Sequence, residues 1–304
     1  YIRNEMNWNS AIRNFKNYQK LERGLAENSI LAYERDLKKL QVWAEEKSIP
    51  PLKTTYDNLL NFIHEVCTED MAARSQSRLI SAIKTFYKFL VYEDLLHENP
   101  SKLLETPKLG RKLPDVLNEG EIEKTIAAID LSAEGGERNR AIIETLYGCG
   151  LRVSELTHLR ISDLFFDQEL IRVIGKGNKE RIVPINQMAI KRINIYKNEV
   201  RNFITIKKGN EDYLFLNRRG SKLSREFIFM LVKDLAEKAQ LRKKISPHSF
   251  RHSFASHLVN NGADIRIVQE LLGHASILTT EIYTHLDNQK LVDAIHKFHP
   301  RNAG

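Results

Sequence analysis

Ser246-Pro247-His248-Ser249-Phe250-Arg251-His252 reads as a helix start with chemistry on one face. Serine caps a helix and proline suits its first position, so the helix begins at Pro247. His248, Arg251 and His252 follow at spacings of three and four, which puts them on one face. Phe250, Phe254 and Leu258 form the neighbouring apolar face. Asn260-Asn261-Gly262 ends this helix, and Asp264 caps the next one through Ile265, Val268, Leu271 and Leu272. Gly273 is placed for a C-terminal cap, with His274 directly after it. Residues 276–280 open a further pattern containing Ile282, Tyr283 and His285. The stretch 288–298 closes the sequence with a helical stripe of Leu291, Val292, Ile295 and Phe298.

Upstream of this block the hydrophobic period changes twice. Glu169-Leu170-Ile171-Arg172-Val173-Ile174 and Glu180-Arg181-Ile182-Val183-Pro184-Ile185 are β-branched runs. They flank Gly175-Lys176-Gly177-Asn178-Lys179, which predicts a β-hairpin with a glycine-rich turn. Helices are expected over 187–203 and 224–239. Before the hairpin, Asn118 and Glu121 form a capping-box pattern ahead of Ile122, Ile126 and Ile129. An apolar helical stretch at 141–147 ends at Gly148-Cys149-Gly150, and a new helix starts at about Ser154.

The first third is helical by period. Ser29 is placed to cap a helix through Leu31, Leu37, Leu40 and Trp43, stopped by Pro50-Pro51. Asp57 opens a second helix. A third runs over about 72–92, its stripe formed by Leu79, Ile80, Ile83, Phe86, Tyr87, Leu90 and Val91. The polar side of that helix carries Arg74, Arg78, Lys84 and Lys88, the pattern of a solvated face or of a helix lying on phosphates. Pro107-Lys108-Leu109-Gly110-Arg111-Lys112-Leu113-Pro114 breaks every period and reads as a linker. The organisation is therefore a helical N-terminal domain over 9–106, a linker over 107–114, and a second domain over 115–304.

Composition narrows the function classes. The 304 residues carry a formal charge of +8, which favours an anionic partner. Two cysteines are too few for a disulfide framework, so a reducing, cytoplasmic setting is expected. No apolar run approaches the ~20 residues of a membrane helix. His248, His252 and His257 lack the glutamate base of a His-Glu zinc motif and stand beside a cation, which disfavours metal. The Gly175-Lys176-Gly177 turn is not a P-loop, because no helix follows it.

Arg152, Arg251, His248, His274 and Lys176 can all donate hydrogen bonds to an anion, and the arginines keep their charge at any ordinary pH. Two arginines on one phosphate would stabilise a pentacoordinate transition state electrostatically. A tyrosine hydroxyl can attack it and conserve the bond energy as a phosphotyrosine ester. A lysine at a hairpin tip can protonate the leaving oxygen.

The ordered set Gly150-Leu151-Arg152-Val153-Ser154-Glu155-Leu156, Gly175-Lys176-Gly177-Asn178-Lys179-Glu180-Arg181, Pro247-His248-Ser249-Phe250-Arg251-His252, Leu271-Leu272-Gly273-His274 and Thr279-Thr280-Glu281-Ile282-Tyr283-Thr284-His285 resembles the tyrosine recombinases, specifically the bacterial Xer type. The resemblance runs from about residue 9 to the His299-Pro300-Arg301 tail. It implies a mainly α (α+β) fold: an N-terminal SAM-like, core-binding helical domain and a helical catalytic domain with a small antiparallel sheet, the two closing on duplex DNA. It makes Tyr283 the nucleophile, Arg152 and Arg251 the ligands of the scissile phosphate, and Lys176 the general acid. His248 and His274 assist with protons and charge, and Glu155 supports Arg152.

Four protomers would exchange strands through a Holliday junction, with neither ATP nor metal as cofactor. A second Xer recombinase and a septal DNA translocase are the implied partners, and resolution of chromosome or plasmid dimers the implied role. The tail helix would dock in a pocket on the neighbouring protomer. A mobile-element integrase of the same chemistry is the alternative, which the compact length ahead of residue 9 disfavours. A non-cleaving DNA-binding accessory subunit is the other, which the complete catalytic set disfavours.

Overall fold

The structure is a computed structural model that describes residues 6–25, 27–67, 71–107, 116–175, 180–273 and 285–302. The chain divides into two compact units, Tyr1–Lys112 and Leu113–Gly304. Among the described residues it is mainly helical, with one three-stranded antiparallel sheet in the second unit. The linker expected over 107–114 falls almost wholly outside the described residues.

The first unit holds α1 (Trp8–Leu21), α2 (Glu27–Glu46), α3 (Tyr56–Val66) and α4 (Ala73–Tyr92). Asn7 caps α1 by accepting the Ser10 N–H, and Trp8, Ala11, Ile12 and Phe15 are buried at helical spacing. Two expected starts move. α2 begins at Glu27, so Ser29 lies inside the helix rather than capping it. An acidic first turn at Glu27 complements the positive helix terminus. In α3 the cap is Thr55, which exchanges hydrogen bonds with Asn58, and Asp57 falls in the first turn. The α4 stripe is buried as its period requires except at Val91, which is half-buried, and Phe86 anchors it. The Phe86 ring stacks on Trp8 at 5.9 Å between centroids and meets Phe15 edge-on at 5.5 Å. Each such ring contributes about 1.5–3 kcal/mol through burial.

The second unit begins with α5 (Glu119–Ala127), whose Asn118–Glu121 capping box forms in both directions at 2.8 Å. α6 (Gly136–Gly148) runs through its centre, longer than the apolar stretch alone indicates, and leads to α7 (Val153–His158). β1 (Leu164–Phe165), β2 (Leu170–Ile174) and β3 (Glu180–Pro184) follow. Pairing of Ile171 with Val183 and of Val173 with Arg181 sets the register. Ile171, Val173 and Val183 are buried, so Arg181 occupies a core-facing position. β1 is the strand the period did not foretell.

α8 (Gln187–Ile195) is shorter than expected. The chain continues through a π-helical turn at Tyr196–Val200 and a 3-10 turn at Arg201–Phe203. That geometry lets the buried Tyr196 hydroxyl accept the Leu216 N–H. α9 (Arg225–Lys238) is capped by Ser224. α10 (Pro247–Asn260) starts at its proline and buries Phe250, Phe254 and Leu258 completely. α11 (Ile265–Leu272) is capped by Asp264 and ends at Gly273 in the left-handed region, φ 61°.

α12 (His285–Phe298) buries Leu291, Val292, Ala294 and Ile295 within this same unit. The tail stripe that the resemblance assigns to a neighbouring protomer is therefore covered here by the chain's own domain. The following residues fix it there. His299 lies against Tyr147 and Phe254, and Arg301 pairs with Glu144 and Glu123. A short terminal helix has little stability alone, and this surface supplies what it needs. No helix among the described residues is long and apolar enough to cross a membrane.

Candidate active site

The site is built around the junction between α6 and α7. α6 ends at Gly148, and the chain turns at Gly150 with φ 59°. A Cβ at Gly150 would stand 2.5 Å from the Phe254 ring, so the turn and the packing of α10 both require glycine. This turn presents the Gly150 carbonyl to Arg251, whose Nη1 donates to it at 2.6 Å.

Arg152 follows as the residue preceding the first turn of α7. Its backbone N–H donates to Glu155 Oε2 at 2.8 Å, and its Nη1 donates to Glu155 Oε1 at 2.8 Å. The same side chain thus satisfies an open helix N–H and orients a guanidinium, which is what the three-residue spacing allows. Burial pushes the Glu155 carboxyl up, but its hydrogen bonds and charge partners, Arg181 and Arg152, outweigh that and hold it below its ordinary value. It is ionised at neutral pH.

Arg152 and Arg251 come together at the end of α11. Arg152 Nη2 stands 3.5 Å from the Gly273 carbonyl oxygen, and Arg251 Nη2 donates to the carbonyl of Leu272. These carbonyls belong to the negative end of a helix dipole, a suitable resting place for cations. Arg251 is 7% exposed, while the Arg152 side chain keeps 31%. Burial, followed by the charge of Arg152, lowers the pKa of Arg251 to about 10, so it remains a cation at pH 7.

His248 lies one turn before Arg251 on α10 and is exposed. Its pKa is lowered, first by partial desolvation of the ring and then by the charges of His252, Arg251 and Arg152. It is therefore largely neutral at pH 7, a form that can accept a proton. His257, on the same helix, is buried and hydrogen-bonded to the Tyr147 hydroxyl at 2.7 Å. Among the described residues, no group of His, Cys, Asp and Glu sits where it could hold a metal ion.

Of the expected site residues, the fold thus brings Arg152, Glu155, His248 and Arg251 to one place. Lys176, His274 and Tyr283 lie outside the described residues. Of the described residues that flank them in the chain, Gly175 follows β2, Glu180 begins β3 and Gly273 caps α11. Arg181 is the residue whose part the sequence did not disclose. Its Nη1 and Nη2 donate to Glu155 Oε1 and Oε2 at 2.6 and 3.0 Å. The available signal was strand alternation, which puts Arg181 on the same side of β3 as Val183. In the first unit Arg74 and Lys88 are exposed on α4 and Lys84 is half-buried. Arg78 departs from the expectation of a free basic face: it gives two hydrogen bonds, at 2.7 and 3.1 Å, to the buried Asp36.

The chain matches the phage integrase family over residues 115–290 and the phage integrase N-terminal SAM-like domain over residues 12–94. This chain belongs to the phage integrase family of tyrosine recombinases. As such it is an enzyme that cleaves and rejoins DNA in site-specific recombination. It is 39% identical to the tyrosine recombinase XerD of Oceanobacillus iheyensis over 293 residues, covering 96% of this chain and 98% of that one. It is also 39% identical over 295 residues to the XerD of Listeria monocytogenes, covering 96% and 99%. Among solved structures, this recombinase resembles XerH bound to a palindromic difH substrate in a post-cleavage complex. The TM-score there is 0.70 and the identity 26%, over 96% of this chain and 85% of that one. The Tn1549 transposon integrase with circular intermediate DNA shares the fold at TM-score 0.71 and 18% identity, over 95% and 99%.

Proposed function

We propose that this recombinase resolves chromosome or plasmid dimers by cutting and rejoining duplex DNA at a specific site through a 3′-phosphotyrosine. The observation that carries the reading is the convergence of Arg152 and Arg251 on consecutive carbonyls at the end of α11, with Glu155 fixing Arg152. Two guanidinium groups held in advance stabilise the charge that gathers on phosphorus as the nucleophile attacks. Tyr283 attacks the phosphorus, and the bond to the 5′ oxygen breaks. Lys176 gives that oxygen its proton. His248 and His274 handle the tyrosine proton and share the phosphate charge. The religation step runs the same balance in reverse, with the 5′ hydroxyl as nucleophile.

Residues 9–106 bind the core of the site, with Arg74, Lys84 and Lys88 on phosphates and Arg78 fixed beside them. Residues 115–304 carry the chemistry. Four protomers act on two duplexes in the cytoplasm, with a second Xer recombinase and a septal DNA translocase as partners.

A suicide duplex nicked beside the scissile phosphate tests the chemistry, because the cleaved fragment leaves and traps the protein on DNA. The wild type gives a covalent adduct. Tyr283→Phe removes one hydroxyl, binds the same duplex with unchanged affinity and gives none. An adduct at normal yield from the Phe variant assigns the nucleophile elsewhere.

A further inference from the structure

Glu155 is fully buried and accepts four hydrogen bonds, two from Arg152 and two from Arg181. One carboxylate between two guanidinium groups is more than Arg152 needs for its orientation, since its backbone N–H and Nη1 already hold it. The charges give the reason. Arg152 paired with Glu155 alone is neutral, and a neutral pair has little attraction for a phosphate. With Arg181 on the same carboxylate the group carries one net positive charge. Arg181 is itself 10% exposed in its side chain, while Arg152 keeps 31%, so the surplus is presented to solvent by Arg152.

Arg181 also passes close to Gly273 on its far side. At Gly273 a Cβ would stand 2.8 Å from both Cδ and Nε of Arg181, so the residue that ends α11 must be small for this side chain to reach Glu155. The same Gly273 supplies the carbonyl near Arg152 Nη2. Three separated parts of the chain meet on this one arginine: the root of the hairpin, the α7 start and the α11 end.

We propose that Arg181 is a positioning residue of the cleavage reaction, which holds Glu155 in a second ion pair and so leaves Arg152 the net charge with which it binds the scissile phosphate. This rests on Arg152 being a phosphate ligand. Arg181 exchanges no proton and touches no reacting atom.

The experiment compares single-turnover cleavage of two suicide duplexes, one with the normal scissile phosphodiester and one with a methylphosphonate there, which carries no charge. Arg181→Met cleaves the normal duplex about 10- to 100-fold more slowly than the wild type, the usual size when a partner that orients a site group is removed. On the methylphosphonate it cleaves at the wild-type rate. Adding Glu155→Gln to Arg181→Met removes the uncompensated carboxylate and recovers cleavage of the normal duplex, a coupling that a double-mutant cycle measures directly. Equal loss on both duplexes, no loss on either, or no recovery in the double variant overturns the proposal. Arg152→Ala run in parallel separates the two claims. If methylphosphonate fails to restore Arg152→Ala, the phosphate-ligand reading is at fault; if it restores Arg152→Ala and not Arg181→Met, only the Arg181 role fails. Should the Met variant not fold, Arg181→Gln, which can still hydrogen-bond Glu155, takes its place with the same outcomes expected.

Discussion

Two buried glutamates in the second unit each lie between two arginines, and they serve different ends. Glu155 holds Arg152 and Arg181, and Arg251 stands beside them. Glu144 holds Arg140 and Arg301, and Arg301 reaches Glu123 as well. The first group has three cations and one anion, and one of its guanidiniums remains a third exposed. The second has two of each, and its guanidiniums are 15% and 11% exposed. A buried carboxylate with arginines is in itself weak grounds for function. The surplus of charge, and its access to solvent, separate the arginine cluster at Glu155 from the clamp that holds the tail.

The sharpest way to break this comparison is to remove each carboxylate. Glu144→Ala leaves the buried Arg140 without its carboxylate and Arg301 with Glu123 alone, and costs about 3–5 kcal/mol in thermal or denaturant unfolding. Glu155→Ala strands Arg181, 10% exposed, in the same way while Arg152 takes up water, and in addition its cleavage of a suicide duplex collapses. Normal cleavage by Glu155→Ala, or lost cleavage by a folded Glu144→Ala, would erase the distinction.

Acid sharpens it further. His299 is buried, and that burial lowers its pKa from 6.5 to about 3. The folded state thus binds this proton less readily than the undocked tail, so the tail's stability is fully present above pH 6.5 and falls as the pH drops below it. The groups facing His299 are His257, Tyr147, Asn186 and Arg301, and His257 is lowered too, so it adds in the same direction. At pH 5 the loss is about 2 kcal/mol. Glu155 behaves oppositely in range: its pKa lies below 4.5, so its contribution persists through this interval and is lost only as the pH falls through the lowered value. Hydrogen exchange between pH 7 and pH 5 is therefore expected to show α12 losing protection while α7 retains it. Protection of α12 that is independent of pH would refute the tail assignment.

The smallest effect extends the comparison to the first unit. Asp36 and Arg78 are a balanced pair, one buried anion with one cation. Arg78→Gln is expected to cost about 1–2 kcal/mol of stability, because Asp36 loses its partner. The double variant Arg74→Gln, Lys88→Gln leaves stability unchanged and flattens the salt dependence of DNA binding by roughly one unit of slope per lost phosphate contact. An unchanged slope returns that face to plain solvation.

What the sequence discloses follows the range over which each interaction acts. The caps at Asn118, Asp264 and Ser246, the left-handed Gly273 and the buried faces of α4 and α10 depend on neighbours within a few residues, and all were legible. The Arg152–Glu155 pair, three residues apart, is equally local, but the resemblance and not the spacing named it. Arg181 and Glu155 are 26 residues apart, and Arg78 and Asp36 are 42 apart. Only strand register and helix packing create those pairs, so basic residues that looked alike in the sequence differ in the fold. The α12 stripe was visible for the same local reason, while the surface covering it depends on Glu144 and Tyr147, more than 100 residues away.

The spread of the arginine site along the chain also sets an order in time. Arg152 and Glu155 are made about halfway through synthesis, but the carbonyls against which Arg152 and Arg251 rest belong to Leu272 and Gly273, and Arg251 itself comes about a hundred residues after Arg152. A growing chain therefore carries Arg152, Glu155 and Arg181 for about a hundred residues before the carbonyls of Leu272 and Gly273 exist to gather the arginines.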